Sequence, residues 1–211
     1  MKILIIGAGG REHAIATKIS DNERVEKVYL SKDNGGAFGK IETVSLTDSF
    51  EEIESFIKYN DISLTIVGPE DPLNAGIVDY LSDRGHKVFG PKKNAALLEG
   101  SKGFSKDFMD KYKIPTAKYR KYSSYQEALK GIDEFGFPTV VKADGLCQGK
   151  GVYICSDKEE ADKAIKEIFI DKVFKDQGGS IVLEEYLDGF EASLLCFVSQ
   201  GQIYPFDTAM D

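Results

Sequence analysis

The sequence predicts an α/β protein in two parts, a parallel sheet wrapped by helices followed by an α+β half with antiparallel hairpins. Three observations carry this. Short apolar runs alternate with helix-periodic segments over the first hundred residues, each pair separated by a turn signal. A glycine cluster directly follows the first apolar run. After about Gly100 several short strands follow one another through tight turns.

The elements follow in order. Lys2–Ile6 is a buried strand, and Arg11–Ser20 a helix with Ala14, Ile15, Lys18 and Ile19 at helical spacing. Val28–Leu30 and Thr43–Leu46 are shorter strands. Asp48 with Glu51 forms a capping-box pattern that opens a helix to about Tyr59. Ser63–Val67 is a strand stopped by Gly68-Pro69, and Pro72 sits in the first turn of a helix running to about Asp83. Lys87–Phe89 is a further strand, ended by Gly90-Pro91. Beyond a boundary near Gly100, Ser101–Tyr112 is helical until Ile114-Pro115. Strands at Tyr119–Tyr122 and Pro138–Ala143 flank a helix from Ser123 to Phe135. A strand at Gly151–Cys155 leads to a helix capped by Ser156-x-x-Glu159, with Ala161, Ala164, Ile165, Ile168 and Phe169 on its apolar face. Ser180–Tyr186, Glu191–Ser199 and Gln202–Phe206 are strands joined at Asp188-Gly189 and Gln200-Gly201.

Composition narrows the functional classes. The 211 residues hold 27 Lys and Arg against 35 Asp and Glu, a net charge of −8 divided equally between residues 1–100 and 101–211. With no basic half or tail, a broad nucleic-acid surface is excluded. No apolar run approaches the roughly 18 residues that a membrane span needs, and Arg11 and Glu12 cut short the apolar start. Three cysteines without a close pair point to a reduced, cytoplasmic protein, not a disulfide scaffold or a zinc site. Cys155 and Cys196 read as small core residues of strands, and Cys147 as an exposed loop thiol.

Two glycine clusters carry chemistry. Gly7-Ala8-Gly9-Gly10-Arg11-Glu12 lies between strand and helix, where backbone N–H groups and the helix N-terminus suit an anion. The dinucleotide fingerprint wants a third glycine where Glu12 stands, and an acidic residue where Ser31-Lys32 stand, which argues against a nicotinamide dehydrogenase. Arg11 at the turn suits a monophosphate. The second cluster, Gly145-Leu146-Cys147-Gln148-Gly149-Lys150-Gly151, has the wrong spacing for a Walker A loop and joins strand to strand. A glycine-hinged lid over a polyphosphate has this composition, and so does a merely flexible hairpin. Lys142 lies in the apolar strand Thr139–Ala143, where a lysine is costly unless it meets an anion. Glu184 and Glu185 end another apolar strand, and Glu191 opens the next. His13 and His86 are expected to be structural.

The order of lysine strand, glycine lid, Glu-Glu-x-Leu strand and further glutamate resembles the nucleotide half of the ATP-grasp ligases. Gly9-Gly10-Arg11-Glu12-His13-Ala14, Thr65–Leu73, Phe89-Gly90-Pro91 and Leu98–Lys102 narrow the resemblance, over essentially the whole chain, to the phosphoribosylamine–glycine ligase family of purine biosynthesis. The resemblance implies a Rossmann-like, pre-ATP-grasp domain over residues 1–100 and an ATP-grasp domain from 101 to 211 that is incomplete at its C-terminal end. It implies ligation of glycine to 5-phosphoribosylamine with ATP, through glycyl phosphate, giving glycinamide ribonucleotide, ADP and phosphate.

Carried onto this sequence, the resemblance sets Lys106 and Lys142 at the ATP phosphates and Gly149, Lys150 and Gly151 in the lid. The adenine lies against a segment including Glu184, Glu185 and Leu187, and Glu191 meets the ribose. Gly9, Gly10, Arg11, Glu70 and Asp211 face the other substrate. No catalytic nucleophile is implied, and no metal ligand falls within these residues. Magnesium or manganese is expected in a full-length parent, held by Glu and Asn residues beyond Asp211, so the chain reads as an inactive N-terminal fragment. Its partners are small molecules, with no nucleic acid and no membrane, and a monomer is a possible state. The chain departs from the family pattern at Lys32-Asp33-Asn34-Gly35-Gly36 and at Cys147-Gln148. The rival readings are another ATP-grasp carboxylate–amine ligase of nucleotide metabolism, and a nucleotide-binding module without turnover.

Overall fold

The computed structural model describes residues 1–147, 150–174 and 179–210. Five parallel strands form the first sheet: β1 (Lys2–Ile6), β2 (Lys27–Leu30), β3 (Ile41–Thr43), β4 (Leu64–Val67) and β5 (Val88–Phe89), in the order β3-β2-β1-β4-β5. Successive side chains of a strand point to opposite faces. Ile3 and Ile5 of β1 therefore pack with Val28, Leu30 and Ile66 against Ala16 of α1 (Gly10–Ser20). Leu4 and Ile6 pack on the other face against Ile53 and Ile57 of α2 (Phe50–Tyr59) and against α3 (Glu70–Ala75) and α4 (Ile77–Ser82). A strand covered on both sides reads as an uninterrupted apolar run, which is why Lys2–Ile6 is so legible. Each fully buried Leu or Ile contributes about 1.5–3 kcal/mol.

The second sheet is antiparallel, in the order β6-β9-β7-β8, from β6 (Tyr119–Tyr122), β7 (Thr139–Ala143), β8 (Val152–Cys155) and β9 (Ile181–Glu185). Val141, Ala143, Ile181 and Leu183 face α7 (Tyr125–Gly131) and α8 (Lys158–Phe169), whose Ala161, Ala164, Ile165 and Ile168 form the apolar stripe. The alternate positions, Lys142 and Glu184 among them, face the other way, towards α6 (Lys102–Tyr112), which follows α5 (Lys93–Gly100). Strands β10 (Ala192–Ser199) and β11 (Gln202–Met210) pair with each other, and Phe197 of β10 meets Phe89 of β5 edge to face at 5.5 Å.

Several elements differ from expectation for identifiable reasons. The helix expected from Pro72 to Asp83 is two helices, broken at Gly76, whose φ of 98° is left-handed. Helix α5 has no counterpart in the pattern. Strand β3 begins at Ile41, whose buried side chain pairs with Val28; residues 44–46 only continue the hydrogen bonding, Val44 N–H to the Leu30 carbonyl and Leu46 N–H to the Ser31 carbonyl. The caps of α2 and α8 fall one residue later than expected. Ser49 accepts from the Glu52 N–H while Asp48 pairs with Lys32 at 3.1 Å, and Asp157 accepts from the Glu160 N–H at 2.9 Å. Asp188-Gly189 is not a hairpin turn, because β9 pairs with β6 and β7 and β10 pairs elsewhere. Gln200 and Gly201, with φ of 51° and 75°, do form the tight hairpin expected there. Cys155 is buried, but Cys196 is exposed on β10. No helix among the described residues is long and apolar enough to cross a membrane.

Candidate functional site

In the first sheet the chain turns one way after β1 and the other way after β4, so a crevice opens at the carboxyl ends of these strands. The Gly7–Gly10 and Gly68–Glu70 loops emerge there and meet α6 and the inner face of the second sheet. Between them lies a cleft of about 830 Å³. Arg11, Glu70, Asp71 and Glu99 line it from one side, and Lys102, Lys106, Lys142, Gly151 and Glu184 from the other.

The glycine loop is shaped by Glu12. Its carboxylate folds back to accept from the Gly9 N–H at 2.6 Å, the reach of a third-position glutamate in a capping box. The side chain is buried. A Cβ on Gly7 would lie 2.8 Å from the Glu12 Cγ, and Gly68 could not carry one without meeting the same side chain. Here the glycines make room for a buried carboxylate, which stands where a dinucleotide pyrophosphate would approach. Arg11 points out of this loop and donates to Glu70 Oε1 at 2.9 Å. The guanidinium is thereby pushed above its ordinary range. Glu70 is held below its own, first by its own backbone N–H at the start of α3 and also by Arg11. Arg11 and Glu70 thus stand side by side on the cleft wall, while Gly9 and Gly10 are exposed beside it.

His13 Nε2 donates to the Gly36 carbonyl at 3.0 Å and meets Phe38 edge to face, tying the 32–40 loop to α1. His86 lies 3.4 Å from Glu54 on the far side of the domain.

On the opposite wall a single carboxylate gathers two lysines. Lys142 faces Val182 across the β7–β9 ladder and Val140 faces Glu184, so Lys142 and Glu184 are diagonal neighbours on one face. Lys142 Nζ lies 3.0 Å from Glu184 Oε2, and Lys106 Nζ, from α6, lies 2.8 Å from the same oxygen. Lys106 also donates to Thr116 Oγ1 at 2.8 Å. Glu184 and Lys106 are buried, and Glu184 Oε1 is buried with no hydrogen-bond partner among the described residues. Two cations against one carboxylate leave one positive charge in excess in a largely desolvated place, an arrangement that an arriving anion stabilises.

The remaining expected residues are spread more widely. Gly151 lines the cleft, and its Cα packs so closely on Cys147 that an added Cβ would lie 2.6 Å from the cysteine Cβ. Cys147 is accordingly half-buried, not exposed, and burial pushes its thiol up. Lys150 is exposed. Glu185 is the last residue of β9 and accepts from the Lys118 N–H at 2.9 Å, which holds its carboxyl below the usual range. Leu187 and Glu191 are exposed and do not line the cleft. Gly149 and Asp211 lie outside the described residues.

Two residues absent from the sequence expectations belong with the site. Lys102 lines the cleft and donates to the Gly145 carbonyl at 2.9 Å, and Asp144 joins α6 to both central strands. The only signal for Asp144 was its place between the apolar strand and the glycine cluster.

Comparison with known proteins fits this geometry. Residues 1–99 match the family model for the N domain of phosphoribosylglycinamide synthetase, and residues 100–211 match the model for its ATP-grasp (A) domain. Among curated relatives, the phosphoribosylamine–glycine ligase of Clostridium acetobutylicum is 47% identical over the whole chain, and that of Caldanaerobacter subterraneus subsp. tengcongensis 46%. The chain spans about half the length of these relatives, 51% of each. The crystal structure of the phosphoribosylamine–glycine ligase of Thermotoga maritima superposes with a TM-score of 0.83 at 30% identity, covering 99% of this chain and 49% of that one.

Proposed function

The chain belongs to the phosphoribosylglycinamide synthetase family, and from that premise we propose that it forms the phosphoribosylamine-facing domain and the first part of the ATP-grasp domain of a phosphoribosylamine–glycine ligase. The supporting observation is the single cleft that has Arg11 and Glu70 on one wall and Lys106, Lys142 and Glu184 on the other.

In this proposal ATP transfers its γ-phosphoryl group to the glycine carboxylate, releasing ADP. The amine of 5-phosphoribosylamine then attacks the acyl phosphate, its nitrogen taking the carbonyl carbon as the carbon–oxygen bond to phosphate breaks, and the proton the nitrogen loses goes to the departing phosphate. The chain's residues position and neutralise; none forms a covalent intermediate. Lys106 and Lys142 supply the charge excess that the polyphosphate meets. The unpartnered Glu184 Oε1 accepts from an amino group of the base, and Arg11 exchanges Glu70 for the monophosphate of the second substrate.

The family also implies a divalent cation. Glu184 is already bound by two lysines and Glu70 by Arg11, and no three His, Cys, Asp or Glu side chains gather among the described residues. Such a set does not fit magnesium, which takes free oxygen ligands, and no step is assigned to it here.

The test is ADP release by the enzyme of full family length. Release should require both glycine and 5-phosphoribosylamine; equal release with an unrelated amino acid overturns the glycine assignment.

A further inference from the structure

We infer that Asp144 is a positioning residue: one carboxylate that locks the lysine-bearing helix α6 onto the two strands that carry Lys142 and Glu184. This rests on the proposed nucleotide role of the cleft.

Asp144 directly follows β7, two residues beyond Lys142. Its Oδ1 accepts from the Gly103 N–H at 2.7 Å, in the first turn of α6, and from Ser101 Oγ at 3.0 Å, at the N-cap of α6. Its Oδ2 accepts from Ser180 Oγ at 2.8 Å, at the entrance to β9. The backbone repeats the connection, with the Lys102 N–H donating to the Asp144 carbonyl at 3.1 Å and the Asp144 N–H to the Ser180 carbonyl at 3.0 Å. Three segments distant in sequence are thus joined at one residue.

What they hold in common is the cleft. Helix α6 carries Lys102 and Lys106, β7 carries Lys142, and β9 carries Glu184. The first-turn N–H groups of a helix are otherwise without partners and attract an anion. Asp144 supplies that anion from the neighbouring strand, so the start of the helix is set against the sheet by a charge-assisted bond. Lys106, one turn further along, is thereby placed within 2.8 Å of Glu184. With its carboxylate bonded to the start of α6 and to Ser180, Asp144 itself need not touch the ligand. A displacement of about 1 Å in a charged group costs far more in binding and rate than its distance from the chemistry suggests.

The test compares Asp144→Ala with Asp144→Asn in the enzyme of full family length, by hydrogen exchange and by calorimetric titration with ATP. Asparagine can keep the geometry, its Oδ1 accepting from Gly103 and Ser101 and its Nδ2 donating to the Ser180 hydroxyl. Asp144→Ala should speed exchange in the first turn of α6 and at residues 143–147 at least tenfold, leave α8 unchanged, and weaken ATP binding about tenfold, the scale of one lost charge-assisted hydrogen bond. Asp144→Asn should restore most of both. Faster exchange with ATP affinity unchanged reduces Asp144 to a helix cap and overturns the inference, as does an equal rise in exchange in α8. If the wild-type enzyme of full family length binds no ATP, the proposed nucleotide role of the cleft is what fails, and the exchange arm alone decides whether Asp144 holds the helix to the strands.

Discussion

Lys106 and Lys142, 36 positions apart in sequence and on different elements, approach the same oxygen of Glu184 at 2.8 and 3.0 Å. The cleft wall is therefore a three-charge unit with a positive excess. Glu184→Gln should remove the carboxylate that pairs with both lysines and destabilise the fold by about 3–5 kcal/mol, the range for breaking a buried pair from one side. Inorganic phosphate should raise the melting temperature of the variant more than that of the wild type. Equal phosphate responses would mean that the lysines are not waiting for an anion.

The two lysines should differ on replacement by methionine. Lys142→Met leaves Glu184 paired with Lys106, and a lysine at the end of an apolar strand is costly in itself, so folding should be neutral or better. ATP affinity should fall by about 1.5–3 kcal/mol. Lys106→Met also strips a partner from Thr116 Oγ1, and should cost more in urea unfolding. Lys142→Met proving the more destabilising would reverse the assignment of the buried anchor.

Glu12→Ala should destabilise by about 1–2 kcal/mol, since the Gly9 N–H loses its acceptor at the start of α1. It should not create affinity for a nicotinamide dinucleotide, because the loop is shaped around the carboxylate it has lost. Thermal unfolding reads the first effect, and fluorescence titration with reduced nicotinamide dinucleotide the second.

Particular residues show where sequence reasoning reached and where it stopped. Lys2–Ile6 and the α8 stripe were legible because burial on both faces, or along one stripe, leaves its period in the sequence. Lys142 stood out as a charge in an apolar run, and Glu184 does so for the same reason. Their meeting with Lys106 was not legible, because it depends on antiparallel β7–β9 pairing and on where α6 docks. The Gly76 break was hidden, since a lone glycine in a helical pattern does not announce a left-handed φ. Asp144 was hidden too: its three donors come from segments that only the folded chain assembles.

A pH-sensitive charge cluster lies away from the cleft. Glu54 of α2 is flanked by Lys58 at 2.6 Å, and by Tyr80, Arg84 and His86 from α4 and the approach to β5. Lys58 first, with His86 and Tyr80 adding to it, pulls its carboxyl down to about 2. A carboxyl depressed in the folded state adds stability above its ordinary range near 4.5, and that contribution fades as pH falls towards 2. The wild type should therefore lose melting temperature faster than Glu54→Gln between pH 4.5 and 2.5, and the gap between them should be constant from pH 5 to 6. Because Phe50 of α2 also packs against the Tyr80 ring of α4, 5.4 Å between ring centres, the variant keeps part of the α2–α4 contact and should still fold. Parallel melting curves across the acid range would show that these cations do not hold Glu54 ionised, and that the cluster is a solvated surface.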